Sequence, residues 1–304
     1  MTSWYHLKEQ SAGATRLHLL WLVYRFLGLK ALTVFLYPVV FFIFLFAGPA
    51  RSASRQYRQV FRHYTDTHHL SVPTFSGYRH LLSYAISLAD KFSVLCDPKT
   101  PVSFEVDSNS DWPLFRDLLQ DHHGAFLLSS HLGNIEVFAG FGQSQPDLPQ
   151  PQLHALMQVG QNQQFHTFLK HHQRRQSFRL YPAENLSVET VMGLYEALNA
   201  GDLLLMAGDR VSAQNPEKTV TTTLLDCTCP LPSGVFRYAK SMKHPTFALC
   251  LIRTKPHHHR LFVKKLDTSL PLPELAQQYA SFLEALLIRY PDQWYNFYPF
   301  FTQP

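Results

Sequence analysis

The apolar pattern is densest near the start of the chain. Ala31–Ala50 (ALTVFLYPVVFFIFLFAGPA) runs twenty residues without a charge, about the length needed to cross the hydrocarbon core of a bilayer. Pro38 lies inside this run, and membrane helices accommodate such a kink. The stretch before it, Leu17–Leu29, is also apolar and is interrupted by Arg25. The pattern predicts an N-terminal apolar helix that either spans once or forms one of two helices entering and leaving on the same side. A buried core helix is the competing possibility, and the length of the run argues against it. A signal peptide is not predicted, because its apolar region would begin earlier and end at a small-residue cleavage site.

Beyond residue 66 the period changes. Short apolar runs of strand type occur at Gly124–Ser130 (GAFLLSS), Gln152–Val159, Phe178–Tyr181 and Asp202–Ala207 (DLLLMA). Val220–Leu225 is threonine-rich and strand-like, and Phe247–Thr254 with Arg260–Lys265 reads as a hairpin turning through Pro256–His259. Helical periodicity occupies Gln161–Arg175, Leu186–Ala200, Ser233–Met242 and Leu272–Arg289. Ser187 is placed to cap the second of these and Gly201 to stop it. Strands alternating with helices predict an α/β fold, with a mainly parallel central sheet flanked by helices and the N-terminal apolar membrane-anchoring helix in front. The expected division is an anchor over residues 1–50 and a catalytic body over 51–304. The anchor is expected to hold the site at the membrane surface and to take no part in the chemistry.

Charge sharpens this picture. Of the 304 residues, 46% are hydrophobic and 16% charged, against about a quarter charged in ordinary soluble proteins. The net charge of +5 is unevenly spread. Residues 1–66 hold eight Lys or Arg against two acidic residues, so the rest of the chain sums to −1. A basic surplus beside an apolar run suits an anionic membrane surface. A nucleic-acid partner would want that charge spread over the folded body, and none is predicted. The four arginines between residues 51 and 62 place the body on the cytoplasmic side. Cys96, Cys227, Cys229 and Cys250 make no disulfide framework and lack zinc-knuckle spacing. They read as reduced packing residues.

The densest chemistry lies in Ser129-Ser-His131-Leu-Gly-Asn134-Ile-Glu136. In one continuous helix, residues five apart point about 140° away from each other. His131 and Glu136 can meet if His131 sits in a turn after the strand and Glu136 in the first helical turn, with Gly133 permitting the turn. Glu136 would then accept a proton from one ring nitrogen and leave the other as a base over a pocket at the strand end. Such an oriented base activates a hydroxyl nucleophile. The plain alternative is a structural turn histidine. Arg210 follows the DLLLMA strand and could bind a phosphate or a developing oxyanion, or simply pair with Asp209 at the surface. Asn134 could donate to substrate or cap the helix. The His257-His258-His259 run lacks a flanking carboxylate or cysteine, so no metal is expected there. No G-x-S-x-G elbow, G-x-G-x-x-G or P-loop is present.

His131-x-x-x-x-Glu136, written HLGNIE, resembles the HX4D/E motif of the lysophospholipid acyltransferase superfamily, and most of all the bacterial lipid A late acyltransferases (lauroyl and myristoyl transferases). The apolar anchor followed by arginines is similar. GDLLLMAGDR (Gly201–Arg210) resembles that family's second strand, which ends in an acidic and basic pair. Thr221–Pro245 and the ending Tyr290-Pro-Asp-Gln-Trp-Tyr resemble further blocks, so the likeness covers nearly the whole chain. One block departs: the F-P-E-G-T-R type of glycerophosphate acyltransferases is replaced by Met206-Ala-Gly-Asp-Arg210.

The resemblance implies an O-acyltransferase without cofactor or metal, anchored in a bacterial inner membrane with its catalytic body in the cytoplasm. The acyl donor would be acyl carrier protein or acyl-CoA, and the acceptor a hydroxyl of a membrane lipid or glycolipid. His131 and Glu136 would be catalytic, with Arg210, Asn134 and Asp209 contacting substrate. A non-catalytic lipid-binding or assembly protein of the same fold and a lipid hydrolase are the alternatives.

Overall fold

The computed structural model describes residues 14–97, 99–157, 178–183, 186–211 and 215–301, with side chains from residue 18 onward. The helix expected over Gln161–Arg175, and His171-His172 within it, lie outside the described residues.

The body is built on a seven-stranded sheet in the order β1-β9-β8-β2-β5-β3-β4. The strands are β1 Ser103–Val106, β2 Ala125–Ser129, β3 Leu153–Met157, β4 Phe178–Pro182, β5 Leu203–Ala207, β8 Thr246–Lys255 and β9 His258–Leu266. Five of the six neighbouring pairs are parallel, and the β8–β9 hairpin alone is antiparallel. The sheet is therefore mixed but mostly parallel. Strands covered on both faces need apolar residues at successive positions, and β2 is buried at all five. Its alternate side chains feed two cores. Phe126 and Leu128 face one, with Leu204, Ala248 and Tyr279. Ala125 and Leu127 face the other, with Phe115, Phe138 and Phe247.

The helices cover both faces. They are α1 Ala14–Phe46, α2 Gly48–Thr67, α3 Gly77–Cys96, α4 Trp112–Gln120, the single turn α5 Phe141–Ser144, α6 Val188–Asn199, α7 Ser233–Met242 and α8 Leu272–Arg289. Ser187 Oγ accepts from Thr190 N (3.2 Å) at the start of α6. Gly201, with φ of 96°, follows its last turn. A Cβ there would come within 2.5 Å of His122 O, so glycine is required twice over. Beside the main sheet, β6 (Thr219–Leu224) and β7 (Cys227–Pro232) form a two-stranded antiparallel ribbon. The four cysteines are unbridged.

α1 is one helix long and apolar enough to cross a membrane by length and composition. It is broken at Gly28 (φ 77°, ψ 177°) into two helical pieces. Leu29, Leu32, Leu36 and Val40 share a buried cluster with Leu81, Leu82 and Ala89 of α3. The packing thus has no break at residue 50, where the sequence suggested an anchor ends and a body begins. The helix period selects those four positions for burial and leaves the opposite side uncovered.

Candidate active site

Parallel pairing of β2 with β5 assembles the site. The register sets Ser129 opposite Ala207. Continued by two residues, it brings His131 opposite Asp209. Gly208 N donates to Ser129 O (2.9 Å), extending the ladder past the strand end. His131 N then donates to Asp209 Oδ2 (2.9 Å), and Nδ1 of the ring lies 2.8 Å from Asp209 Oδ1. Asp209 is completely buried. Asn296 Nδ2 donates a third hydrogen bond to its Oδ2 (2.9 Å). Burial alone would raise the Asp209 carboxyl. The His131 imidazole, with Arg210 beside it, outweighs burial and holds the carboxyl well below the usual carboxylate range. An ionised Asp209 can only accept, so Nδ1 carries a proton and Nε2 of the neutral ring has its lone pair free.

After His131 the chain turns sharply. Gly133 has φ of 78°, and a Cβ there would stand 2.1 Å from Leu251 O. Gly133 forms a bridge with Leu251, and Asn134 N donates to Leu251 O (2.8 Å). The 3-10 helix Ile135–Gly140 follows, with Glu136 in its first turn. The backbone path is the one required for His131 and Glu136 to approach. The side chains choose otherwise. Glu136 forms an ion pair and hydrogen bond with Lys91 of α3. Among the described residues the ring of His131 bonds to Asp209 and not to Glu136. The expectation that Glu136 receives the imidazole proton is therefore corrected: the β2–β5 register delivers a buried carboxylate to Nδ1 first, and α3 delivers an ammonium to Glu136. Burial favours the protonated Glu136 carboxyl, but the Lys91 ammonium more than offsets this, so its pKa is lowered.

The remaining predicted residues also have definite places. Arg210 Nε donates to Asn296 Oδ1 (2.8 Å) and Nη2 to Tyr295 O (3.1 Å). Its guanidinium carbon lies 5.8 Å from the centre of the Tyr298 ring. Asn134 makes no capping bond. Its Nδ2 donates to Ser87 O (2.9 Å), which uses one of its two amide hydrogens, and the residue lines the cavity described below. Asp209 supports the imidazole and is too buried to contact substrate. His259 Nε2 lies 2.9 Å from Asp90 Oδ2, and His257 N donates to Asp90 Oδ1 (3.1 Å). That tie fastens the hairpin turn to α3.

Contacts that the sequence reading did not assign complete the site. Gly133 N donates to Gln293 O (2.9 Å), Tyr295 N to His131 O (2.9 Å), and Leu132 bridges Trp294. Residues 293–296 therefore form a strap across the strand ends. Lys91 comes from α3. For Asp209, a usable signal existed: it follows DLLLMA as His131 follows GAFLLSS.

A cavity of about 400 Å³ opens over these strand ends. Lys91, His131, Glu136 and Arg210 line its polar side, and Ala155, Leu205 and Met206 are among the apolar residues that line it. The His131 side chain is 33% exposed, and its Nε2 makes no hydrogen bond to the described residues. The arrangement is an oriented base beside fixed positive charge, at the C-terminal ends of parallel strands where α/β sites form. Comparison with protein-family models gives no match to this chain, and comparison with characterised proteins gives none either.

Proposed function

We propose that the chain is a membrane-associated O-acyltransferase. It moves a fatty acyl group from a carrier thioester, acyl carrier protein or acyl-CoA, to a hydroxyl of an envelope lipid or glycolipid. The observation that carries this reading is the His131–Asp209 pair, which leaves an unengaged imidazole nitrogen at a cavity with both apolar and cationic lining. A cavity with both kinds of lining suits a substrate with an acyl chain and a polar reacting end.

In the proposed reaction His131 Nε2 takes the proton of the acceptor hydroxyl as its oxygen attacks the thioester carbonyl carbon. The carbonyl π electrons move to oxygen. Arg210, fixed by two hydrogen bonds to the strap, supplies positive charge near that oxyanion. Asp209 stabilises the imidazolium. The oxyanion then reforms the carbonyl, the C–S bond breaks, and the thiolate takes the proton from His131. The new ester and the free thiol leave, and the base is restored. Glu136 and Lys91 form a charged pair on the same cavity. The basic N-terminal segment supports attachment to the cytoplasmic face of a bacterial inner membrane.

The test is turnover by the full-length protein with acyl carrier protein thioester and a membrane lipid extract, read by lipid mass spectrometry. The expected product gains one acyl chain, and His131→Ala abolishes it. Undiminished activity in His131→Ala sinks the proposal. Free fatty acid without acylated lipid would replace transfer with hydrolysis.

A further inference from the structure

α1 lies lengthwise on α3. Near one end, Tyr24 Oη is 3.4 Å from Thr100 Oγ1, just past the end of α3, and Trp21 packs against the Phe92–Leu95 cluster. In the middle, Leu29, Leu32, Leu36 and Val40 meet Leu81, Leu82 and Ala89. At the other end, Tyr78 Oη donates to Tyr37 O (2.9 Å). The two helices run antiparallel in contact over most of their length.

α3 is unsuited to a bilayer interior. It holds Asp90, buried beside His259, and Lys91, paired with Glu136. It also holds Arg79, whose side chain is 65% exposed although it pairs with Asp292. An α1 standing along the bilayer normal would draw this charged helix into hydrocarbon, where such charges have no water. The break at Gly28 points the same way. The piece after it, Leu29–Phe46, has eighteen residues and is about 27 Å long, at the lower end of what a core of about 30 Å requires.

The outer side of α1 is a different surface. Val34 is 70% exposed, Phe42 61% and Phe46 83%, and Phe26, before the break, is 78% exposed. Arg25 and Lys30 are exposed on either side of Gly28. A span by the whole of α1 would bury both cations in lipid, whereas a helix in the membrane plane lets them reach the headgroups. From Gln10 to Thr65 the chain has seven Lys or Arg and no Asp or Glu, a charge that complements an anionic surface.

We infer that α1 is an in-plane, monotopic anchor. Its outer face sits in one leaflet of an anionic bilayer, its inner face stays on α3, and the helix does not cross. This deepens the membrane association proposed above and is independent of the chemistry at His131. It also keeps the site close to the membrane surface. Tyr84, Ser87, Leu88 and Lys91 of α3, the helix that carries α1, line the cavity.

The experiment uses full-length protein with Cys96→Ser and one added cysteine, in the variants Phe26→Cys, Val34→Cys, Phe42→Cys and Phe46→Cys. Each carries an environment-sensitive fluorophore and is mixed with phosphatidylcholine vesicles with or without phosphatidylglycerol. Nitroxide lipids quench from shallow or deep positions. The inference expects all four labels at one shallow depth. Quenching that deepens along the helix, with one label best reached by the deep probe, would overturn it in favour of a span. Labels reached by neither probe, in a dimer that persists with vesicles, would show that a second copy covers the face, which overturns it equally. Arg25→Gln with Lys30→Gln should weaken partition to the anionic vesicles about thirtyfold, at about fivefold per basic residue. An unchanged partition would refute the charge argument. His131→Ala should give the same depths as the parent, which separates this outcome from failure of the proposed chemistry.

Discussion

Asp209→Asn separates the two carboxylates of the site. Two donors, His131 N and Asn296 Nδ2, converge on Asp209 Oδ2, while the imidazole donates to Oδ1 alone. An asparagine would keep its oxygen where two donors point and turn its amide toward the ring. That amide is a donor, so Nδ1 would have to accept and the proton would move to Nε2. The base would then face its substrate already protonated. Enforcing the wrong tautomer on an oriented imidazole lowers turnover by roughly 10³–10⁴-fold, which is about 4–5 kcal/mol of barrier. The fold should survive, since two of the three hydrogen bonds to residue 209 remain. The assay is single-turnover acyl transfer by Asp209→Asn and Glu136→Gln side by side, with thermal unfolding as a control. Asp209→Asn should be the more damaged by at least tenfold. If Glu136→Gln is the more damaged and Asp209→Asn retains most activity, Glu136 orients the base in the working enzyme, and the role given to Asp209 is wrong.

Two further outcomes follow from the packing. Gly133→Ala adds strain at a positive φ and a Cβ 2.1 Å from Leu251 O, so it should destabilise by about 3 kcal/mol or more and displace His131 and Glu136 together; a denaturant midpoint equal to the parent's would contradict this. His80 is fully buried, donates from Nε2 to Trp294 O (2.7 Å), and has its pKa lowered to about 4, chiefly by burial. The unfolded chain binds that proton below about pH 6.5 and the folded one only near pH 4, so stability is whole above 6.5 and falls by roughly 3 kcal/mol on acidification to 4. His80→Gln should flatten this slope in denaturation curves at pH 7, 5.5 and 4; an unchanged slope would assign the acid lability to other groups.

Local signals in the chain carry the elements well. Ser233–Met242 and Leu272–Arg289 are helices over the residues that periodicity selects. GAFLLSS and DLLLMA become β2 and β5 because buried parallel strands need unbroken apolar runs. β7 is not legible in the sequence, since Cys227–Pro232 includes two prolines, which argue against a strand. Neither is β1, whose four residues are half-polar on an edge. The site divides in the same manner. The turn at Gly133 and the position of Glu136 follow from neighbouring residues. The partner of His131 does not, because it depends on which strand lies beside β2. A short motif sets spacing along one chain, whereas Asp209 arrives through register between two, and Lys91 through the packing of a third element.

The strap made by residues 293–296 has a consequence for the order in which the site is assembled. During synthesis His131, Asp209 and Arg210 are all made before Asn296 and the Tyr295 carbonyl, which hold the carboxylate and the guanidinium in place. A nascent chain that has not yet made residues 293–296 thus lacks the clamp that aligns His131 with Arg210, even when the sheet between them is already paired. Any process that displaces those few residues would loosen the pair while leaving the sheet folded.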